Sequence, residues 1–425
     1  MQTQESTLAM PGNANTSSDA QSWHDLVQPW WSATRSILPT YLLTRFILLL
    51  LSYFGGVLFT APNFSSAPIS YHDLVYSWDH WDTIRYLAIA AGGYTKSEDS
   101  FFFPLYPALL RTFALFLKKD ILTVGILFSN SMFLGVLMAF YRLVEMEFDR
   151  DTAKRSALYL AIFPTALFFF AAYSESLFLF FVLLSFYAMR RSFWWLAGLF
   201  GALATLTNIV GIFLFVIFLC EFGRQVLPSL RQAWRDKQTK QSLHLATGAL
   251  AALLIPFSLG VYAYSLKVTF GDPLAFVHAQ THWTRGISLP WVGPLLAMKG
   301  IVQQPHSLFA VPHDIFDLTA LLLFLTLMVL CFFGPEHLTR NQWPFALFGL
   351  LLLFYALLFP GIPPAGGLPY DPLPSMERIV LSIFPGFILL ARLGRRPWFH
   401  QGYLMLSLPM LAFFVLQFIT GHWTV

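Results

Sequence analysis

The sequence predicts an all-α polytopic membrane protein. Of its 425 residues, 56% are hydrophobic and only 11% are charged, whereas soluble domains carry about 25% charged residues. Too few charges remain to cover a soluble surface, and apolar runs long enough to cross a bilayer recur along the chain. The formal net charge is only +4, and the basic residues cluster in short segments between the apolar runs. This pattern is typical of an oriented membrane protein and argues against nucleic-acid binding.

The chain divides into a polar tail and one membrane domain. Residues 1–36 have no apolar core, so we expect a disordered or surface-lying tail rather than a cleavable signal peptide. Residues 37–425 are predicted to form a single transmembrane domain with two large outer loops, 61–100 and 267–313. The apolar runs predict about eleven spans, which are 38–60, 101–117, 121–142, 156–172, 175–189, 193–222, 243–266, 314–334, 343–360, 377–391 and 402–420.

The sides of the membrane follow from the alternation of these spans. With a cytoplasmic N-terminus, the outer segments are 61–100, 267–313 and 361–376, and the inner segments are 118–120, 223–240 and 392–396. The segment 223–240 carries five basic residues and is the clearest inner loop by the positive-inside rule. The same count leaves Arg190, Arg191 and the loop 143–155 outside, which conflicts with that rule.

The densest group of charged and aromatic side chains between spans lies at 76–107. If residues 78–90 form a helix, Asp79 and Asp82 are neighbours on one face, three residues apart. We therefore expect an interfacial helix that holds two carboxylates, one of them a general base toward an attacking hydroxyl. Solvation of the helix, or binding of a divalent cation by both carboxylates, are the alternatives. Arg85 lies three residues after Asp82 and would favour its ionised form.

Other residues bear on the membrane boundary and the interior. Trp78 and Trp81 are amphipathic aromatics of the kind found at the membrane–water interface. Arg45 lies inside the first span and is expected to snorkel or to face other helices. Cys220 and Cys331 lie in apolar runs, so we expect small buried residues rather than a disulfide or a metal pair.

Two further polar candidates lie where spans begin. Glu175 follows Ser174 in a break between spans, and it is either a functional acid or a helix-start acid capped by Ser174. Arg378 opens a span on the predicted outer side. Its side chain either pairs with a phosphate in forked geometry or snorkels to the interface.

The second large outer loop contains a candidate ligand-binding face. A helix over 270–285 would place His278, His282 and Arg285 on one side. Two histidines four residues apart can bind a metal, but the chain has no HExxH pattern here, so zinc is not expected. A site for a sugar or a phosphate is the interpretation that we prefer.

At these positions the sequence resembles a known family. The segments WDTIRYLAIAAGGY and FFFPLYPALLR resemble the first-loop signature of the PIG-V family. This is the GPI mannosyltransferase II family with its bacterial relatives, and it has the glycosyltransferase C fold. The segments AAYSESLFL, FGDPLAFVHAQTHW and MERIVLSIFPGFILLAR resemble later parts of the family in the same order. The resemblance covers most of residues 40–395 and favours a bacterial relative.

The resemblance implies roles for particular residues. The family's Trp-Asp pair falls on Trp81 and Asp82, so Asp82 is the expected general base and Asp79 is a second catalytic candidate. Arg378 is the expected contact for a donor phosphate. The expected substrate-binding residues are Trp81, Arg85, Tyr86, Tyr94, Ser174, Glu175, His278, Gln280, His282, Trp283 and Arg378. The chain departs from the family pattern at Arg85 and Tyr86, where an aromatic more often follows a His-like position, and this leaves the acceptor contacts open.

The resemblance also implies the reaction. We expect an inverting transfer of mannose from a polyprenyl-phosphate-mannose donor to a lipid or glycan hydroxyl on the non-cytoplasmic face, with membrane lipids as surroundings. No cofactor is expected beyond a possible divalent cation, and the need for a partner subunit is not predicted. The membrane would be the plasma membrane in a bacterium and the endoplasmic reticulum in a eukaryote. The alternatives are another polyprenyl-phosphate sugar, or a transporter or flippase of lipid-linked sugars.

Overall fold

A computed structural model describes residues 23–60, 70–236, 246–303, 310–363 and 371–422. Across these residues the chain is helical, and the one β-type contact is an antiparallel bridge between Arg285 and Gly361. The helices named below are α1 Trp23–Gly55, α2 Tyr71–Tyr76, α3 Asp82–Gly92, α4 Leu105–Leu117, α5 Ile121–Glu147, α6 Arg150–Ala161, α7 Glu175–Arg190, α8 Trp194–Thr207 and α9 Phe213–Arg235. They continue with α10 Leu254–Phe270, α11 Ala275–His282, α12 Val292–Gln303, α13 Ala310–Phe332, α14 Trp343–Leu358, α15 Met376–Ile379, α16 Phe384–Leu393 and α17 Pro397–Ile419.

Seven helical segments of the described chain are long and apolar enough to cross a membrane. They are Gln28–Phe59, Ile121–Glu147, Ile209–Arg235, Ala246–Phe270, Pro312–Phe332, Arg340–Leu358 and Pro397–Ile419. Shorter apolar helices accompany them, including α4, α8, α12 and α16. Large apolar side chains such as Leu43 and Phe46 on α1 are more than half exposed, as expected for faces that contact lipid tails. The predicted class of an all-α polytopic membrane protein is confirmed.

The core of the bundle is packed with aromatic rings and with close helix crossings. Phe133, Phe140 and Phe186 are fully buried between α5, α7 and their neighbours. Gly198 lets α8 approach the segment before α10, because an added Cβ there would lie 2.1 Å from the carbonyl oxygen of Ala251. Small residues at such crossings are typical of helix packing in membranes.

Arg45 faces other helices, which is one of the two predicted alternatives; the other was that it snorkels to the membrane surface. Its side chain is buried, and its guanidinium donates to Asn130 Oδ1 at 3.1 Å. The same group lies 4.7 Å from the centre of the Phe133 ring. An aromatic face and an amide therefore replace water around this cation.

One end of the bundle holds a network of ion pairs, which we call the basic end. Arg190, at the last residue of α7, pairs with Glu147 at 3.0 Å and with Glu221 at 3.1 Å, and Glu221 also pairs with Arg224. Two residues beyond Glu147, Asp149 pairs with Arg395 at 2.8 Å. The loop 143–155, the end of α7, the middle of α9 and the 392–396 cluster therefore share one end.

This shared end corrects the predicted sides. Helix α5 reaches the basic end at Glu147, whereas Ser129 in its first half donates to the Tyr173 carbonyl at 3.1 Å, next to the start of α7. The beginning of α5, with Lys118 and Lys119 before it, therefore lies toward the opposite end from Arg224. The prediction that 118–120 and 223–240 share one side is wrong, because α4 does not cross the bundle.

The predicted span 193–222 is two elements rather than one. Helix α8 ends at Thr207, Asn208 is extended, and α9 begins at Phe213. The chain therefore returns within this segment, which brings Arg190 and Arg224 together at the basic end. With both corrections, Arg190 and the loop 143–155 no longer conflict with the positive-inside rule.

Four other predictions of local structure were wrong. Helix α1 begins at Trp23, inside the predicted tail, although residues 1–22 lie outside the described part. Helix α9 continues to Arg235, through most of the predicted inner loop. The predicted span 156–172 is α6 followed by a buried 3-10 turn. Both cysteines are unpaired, but Cys220 is exposed and only Cys331 is buried.

Candidate active site

Asp82 lies at the first position of α3, where the helix dipole stabilises a negative charge. The residue before it, Trp81, has φ 55° and ψ −121°, a conformation rarely adopted by a residue with a side chain. This turn separates Asp82 from Asp79, which precedes the helix. The predicted helix over 78–90 is therefore wrong at its start, and the two carboxylates do not share a helix face.

Three charged side chains from distant parts of the chain meet at Asp82. Arg378 Nη1 lies 2.6 Å from Asp82 Oδ2, and Arg378 Nε lies 2.5 Å from Glu175 Oε1. Glu175 is the first residue of α7 and is 7% exposed. The Arg378 guanidinium also lies 5.2 Å from the centre of the Tyr173 ring. These contacts hold one cation between two anions in a largely desolvated position, where such pairs are strong only if their geometry is good.

Hydrogen bonds fix this triad to its helices. The hydroxyl groups of Tyr86 and Ser174 are 2.7 Å apart, which ties α3 to the start of α7. The Asp82 backbone N–H donates to the Tyr173 hydroxyl at 3.2 Å. Burial raises the pKa of Tyr86, so its hydroxyl stays protonated. Ser174 makes no side-chain cap for α7, so the predicted capping role is wrong and its hydroxyl instead binds Tyr86.

The triad borders a cavity of about 1100 Å³. Ten of the thirteen predicted site residues line it, and they are Trp81, Asp82, Arg85, Tyr86, Ser174, Glu175, Gln280, His282, Trp283 and Arg378. Apolar side chains such as Phe178, Val210 and Ile379 complete the wall. A cavity of this size with a few convergent polar groups is typical of a ligand site.

Three predicted residues do not line the cavity. His278 is exposed and bonds Asp272 Oδ2 at 2.7 Å, which fixes the turn before α11. Tyr94 donates its hydroxyl to the Phe102 carbonyl at 2.6 Å. Asp79 lies before α3, and partial burial raises the pKa of its carboxyl group. Asp79 precedes the turn at Trp81, and the structure does not bring it into the cavity wall beside Asp82.

The structure also differs from the predictions made for Trp78 and Arg85. Trp78 is buried, and its indole N–H donates to Ser52 Oγ at 3.1 Å, so it anchors the loop inside the bundle rather than at the membrane interface. Arg85 does not pair with Asp82. Its guanidinium lies 5.3 Å from the centre of the Trp283 ring, and Arg378 supplies the positive charge beside Asp82.

Three further residues at the cavity were not among the predicted site residues. Arg285 lines the cavity, and within the described chain it forms no ion pair with a carboxylate. It reaches the cavity after α11 has ended, through the bridge to Gly361. His313 and Asp371 line another part of the wall, and with Asp317 they have the spacing of metal ligands. Of these residues, only Arg285 is singled out by the sequence, because it falls on one predicted helix face with His278 and His282.

Unusual backbone conformations concentrate at this cavity. Within the described residues, five residues other than glycine have positive φ, and three of them line the cavity: Trp81, Thr284 and Ser375. Trp81 precedes Asp82, Thr284 precedes Arg285, and Ser375 precedes the helical turn that carries Arg378. Such conformations cost about 1–3 kcal/mol each and persist where the surrounding structure imposes them, often at functional sites.

Comparisons with known proteins agree with the predicted family. Residues 35–331 match the family model described as mannosyltransferase (PIG-V). A relative named GPI mannosyltransferase 2 from Drosophila pseudoobscura pseudoobscura is 33% identical over 111 residues, 24% of this chain and 25% of the relative. The protein of the same name from Schizosaccharomyces pombe (strain 972 / ATCC 24843) is 26% identical over 197 residues, 45% of this chain and 42% of the relative. These matches span less than half the length of either relative.

Solved structures with a similar arrangement are archaeal oligosaccharyltransferases. The apo form of the Archaeoglobus fulgidus enzyme covers 90% of this chain and 56% of its own, with a TM-score of 0.40 and 13% identity. The same organism's AglB in complex with an inhibitory peptide and a dolichol-phosphate covers 94% of this chain and 56% of its own, with a TM-score of 0.39 and 12% identity.

Proposed function

Since the chain belongs to the PIG-V mannosyltransferase family, a family of the glycosyltransferase C type, we propose that it transfers mannose from a polyprenyl-phosphate-mannose donor. The acceptor is a hydroxyl of a lipid-linked or other glycoconjugate. The observation that carries this proposal is the triad of Asp82, Glu175 and Arg378 at the wall of one cavity. The triad joins three segments whose sequences resemble the family.

Asp82 is the proposed general base. Its Oδ2 is held by Arg378, and no described residue donates a hydrogen bond to Oδ1. The ion pair fixes the direction of the carboxylate, so Oδ1 can accept the proton of an acceptor hydroxyl within hydrogen-bonding reach. The hydroxyl oxygen attacks the anomeric carbon as the polyprenyl phosphate leaves from the opposite side. This single displacement inverts the anomeric centre and depends mainly on alignment of the two substrates.

The donor phosphate needs positive charge that other groups have not already neutralised. Arg378 is engaged by two carboxylates, whereas Arg285 faces the same cavity without a carboxylate partner among the described residues. We therefore assign Arg285 as the principal phosphate ligand. Arg378 takes the role of orienting Asp82, which revises the expectation that Arg378 itself binds the phosphate. An unpaired guanidinium can bind a phosphate through two parallel hydrogen bonds.

The two ends of α7 support a proposal for the side of the membrane on which the site lies. Glu175 at its start belongs to the cavity, and Arg190 at its end belongs to the basic end. Sixteen residues of helix span about 24 Å, so the two sites lie near opposite faces of the bundle. The positive-inside rule assigns the basic end to the cytoplasm, and the proposed active site then lies on the non-cytoplasmic side of this multi-pass membrane protein.

The test is a transfer assay with a matched pair of variants. Membranes containing the wild-type chain, Asp82→Asn or Asp79→Asn receive labelled polyprenyl-phosphate mannose and a lipid extract as acceptor. Loss of a general base lowers rates by about 10²–10⁴-fold, so Asp82→Asn should be nearly inactive while Asp79→Asn keeps transfer. Equal transfer by wild type and Asp82→Asn would remove Asp82 from the base role. Faster transfer from glucose or galactose donors would change the assigned sugar, and movement of the lipid without a new glycosidic bond would favour a flippase.

A further inference from the structure

A second group of ionisable side chains lies at another part of the cavity wall. His313 and Asp317 are one helical turn apart on α13, and Asp371 comes from the segment that leads to α15. His313 Nε2 lies 3.4 Å from Asp317 Oδ2 and 3.3 Å from Asp371 Oδ2. Glu377, adjacent in sequence to Arg378, approaches the other imidazole nitrogen at 3.8 Å.

The carboxylates of this group have fewer hydrogen-bond donors around them than their buried oxygens require. Asp317 is fully buried and Glu377 is 3% exposed. Asp317 Oδ1 accepts the backbone N–H of Glu377 at 3.1 Å, but no N–H or hydroxyl group of the described residues donates to Asp317 Oδ2 or to either carboxylate oxygen of Glu377. The carboxyl groups of Asp317 and Glu377 interact instead with each other and with the His313 imidazole. One imidazole can offset only one of the three negative charges of Asp317, Asp371 and Glu377. Buried negative charges that have no counter-charge are costly unless a cation or protons neutralise them.

The spacing of the ligand atoms fits a coordinated ion. One nitrogen of His313 and one oxygen each from Asp317 and Asp371 all lie within 4.8 Å of one another. A tetrahedral ion with bonds of about 2.0–2.1 Å to nitrogen and oxygen would separate neighbouring ligand atoms by about 3.3–3.4 Å. The two distances from His313 Nε2 agree with that separation.

We propose that His313, Asp317 and Asp371 bind one divalent transition-metal ion, Mn²⁺ or Zn²⁺. A single imidazole with two carboxylates suits these ions better than Ca²⁺ or Mg²⁺, which prefer oxygen ligands alone. His313 and Asp371 line the cavity, so a fourth coordination position would face the substrate. Glu377 supplies further negative charge behind the ion. This site differs from the pair of Asp79 and Asp82 that the sequence offered for a cation.

The catalytic role of the ion rests on the proposed function. The binding of the ion to His313, Asp317 and Asp371 does not depend on that function. At the cavity wall, the ion would add positive charge near the bound donor and help to stabilise the departing phosphate. The binding test therefore contains no donor and no acceptor. If binding fails, the transfer reaction assigned to Asp82 is untouched, and if transfer fails, the metal measurement still stands.

The experiment is a titration of the full-length chain, purified in detergent and stripped with a chelator. Free Mn²⁺ is followed by electron paramagnetic resonance, and Zn²⁺ by equilibrium dialysis with elemental analysis. The wild type should bind one ion per chain. Asp317→Asn should weaken binding by at least about tenfold, since it removes a ligand and its charge. Asp272→Asn is the matched control, because it breaks an exposed His–Asp pair in which neither residue lines the cavity, and it should bind as the wild type does.

Two further variants keep the test decisive if Asp317→Asn does not fold. Asp371→Asn changes a less buried ligand, and His313→Gln removes the nitrogen ligand. Both should lose binding while keeping a monodisperse gel-filtration profile and a helical circular dichroism spectrum. The proposal is overturned if neither ion binds the wild type above the level of a chain with both Asp317 and Asp371 changed. It is equally overturned if folded Asp371→Asn and His313→Gln bind as tightly as wild type, because protons would then neutralise the cluster.

Discussion

The strongest quantitative prediction concerns Arg378, because its removal takes away the only positive charge of the triad. Asp82, Glu175 and Arg378 together carry one net negative charge, and Arg378→Gln leaves two carboxylates with no cation between them. The side chains of all three are less than a quarter exposed, so solvent screens them only in part. Breaking a buried ion pair by removing one partner costs about 3–5 kcal/mol, and we expect Arg378→Gln to lower the free energy of unfolding by that amount.

A second substitution separates repulsion from lost packing. Two carboxylates about 5–6 Å apart repel by about 3 kcal/mol at an effective dielectric constant of about 20. Adding Glu175→Gln to Arg378→Gln removes that repulsion, so the double variant should regain about 2–3 kcal/mol. Transfer activity should stay lost in both variants, because Asp82 no longer has the guanidinium that orients it.

The assay is thermal unfolding in one detergent, followed by tryptophan fluorescence, together with mannose transfer by the same preparations. The expected order of melting temperature is wild type, then the double variant, then Arg378→Gln. If Arg378→Gln has the same melting temperature as the wild type, the triad is not desolvated as described. If the double variant melts no higher than Arg378→Gln, repulsion between Asp82 and Glu175 is not the source of the loss.

The remaining predictions concern single contacts near the site. Because burial raises the pKa of Asp79 above its usual value near 3.8, the folded protein binds this proton more tightly than the unfolded chain, and the residue destabilises the fold as pH rises above that value. Asp79→Asn should therefore melt at a higher temperature than wild type at pH 7, with a smaller difference at pH 4. Ser174→Ala leaves the buried Tyr86 hydroxyl without its 2.7 Å partner and should cost about 1–3 kcal/mol in denaturant unfolding, whereas the Tyr86→Phe/Ser174→Ala pair should cost less. His278→Ala breaks only an exposed contact with Asp272, so kcat for mannose transfer should stay within about twofold of wild type; a loss of tenfold or more would return His278 to the site.

The sequence was informative where local pattern and chemistry coincide. Apolar runs gave most long helices, and charged residues at the ends of such runs identified Asp82, Glu175 and Arg378, which the structure brings together. A charge at membrane depth is costly, so it is kept only where other polar groups meet it. A charged residue in an apolar run can therefore be identified as a candidate site residue before the fold is known.

The sequence was uninformative where a backbone turn decides the outcome. Periodicity places Asp79 and Asp82 on one face, but positive φ at Trp81 starts the helix only at Asp82. The apolar composition of 193–222 gives no sign of the break at Asn208. Arg285 falls on a predicted helical face with His278, yet α11 ends before it and tertiary pairing with Gly361 sets its position. Such features depend on contacts between distant segments, which a single sequence does not display.

The separation of the triad along the chain has a consequence for biosynthesis. Glu175 and Arg378 are 203 residues apart, and Asp82 precedes Arg378 by 296. At about 5–20 residues per second, a ribosome needs about 10–40 seconds to travel from the codon of Glu175 to that of Arg378. Throughout that interval the carboxylates of Asp82 and Glu175 have no arginine to pair with. They must therefore stay hydrated, or be shielded by the membrane-insertion machinery, until Arg378 has been synthesised.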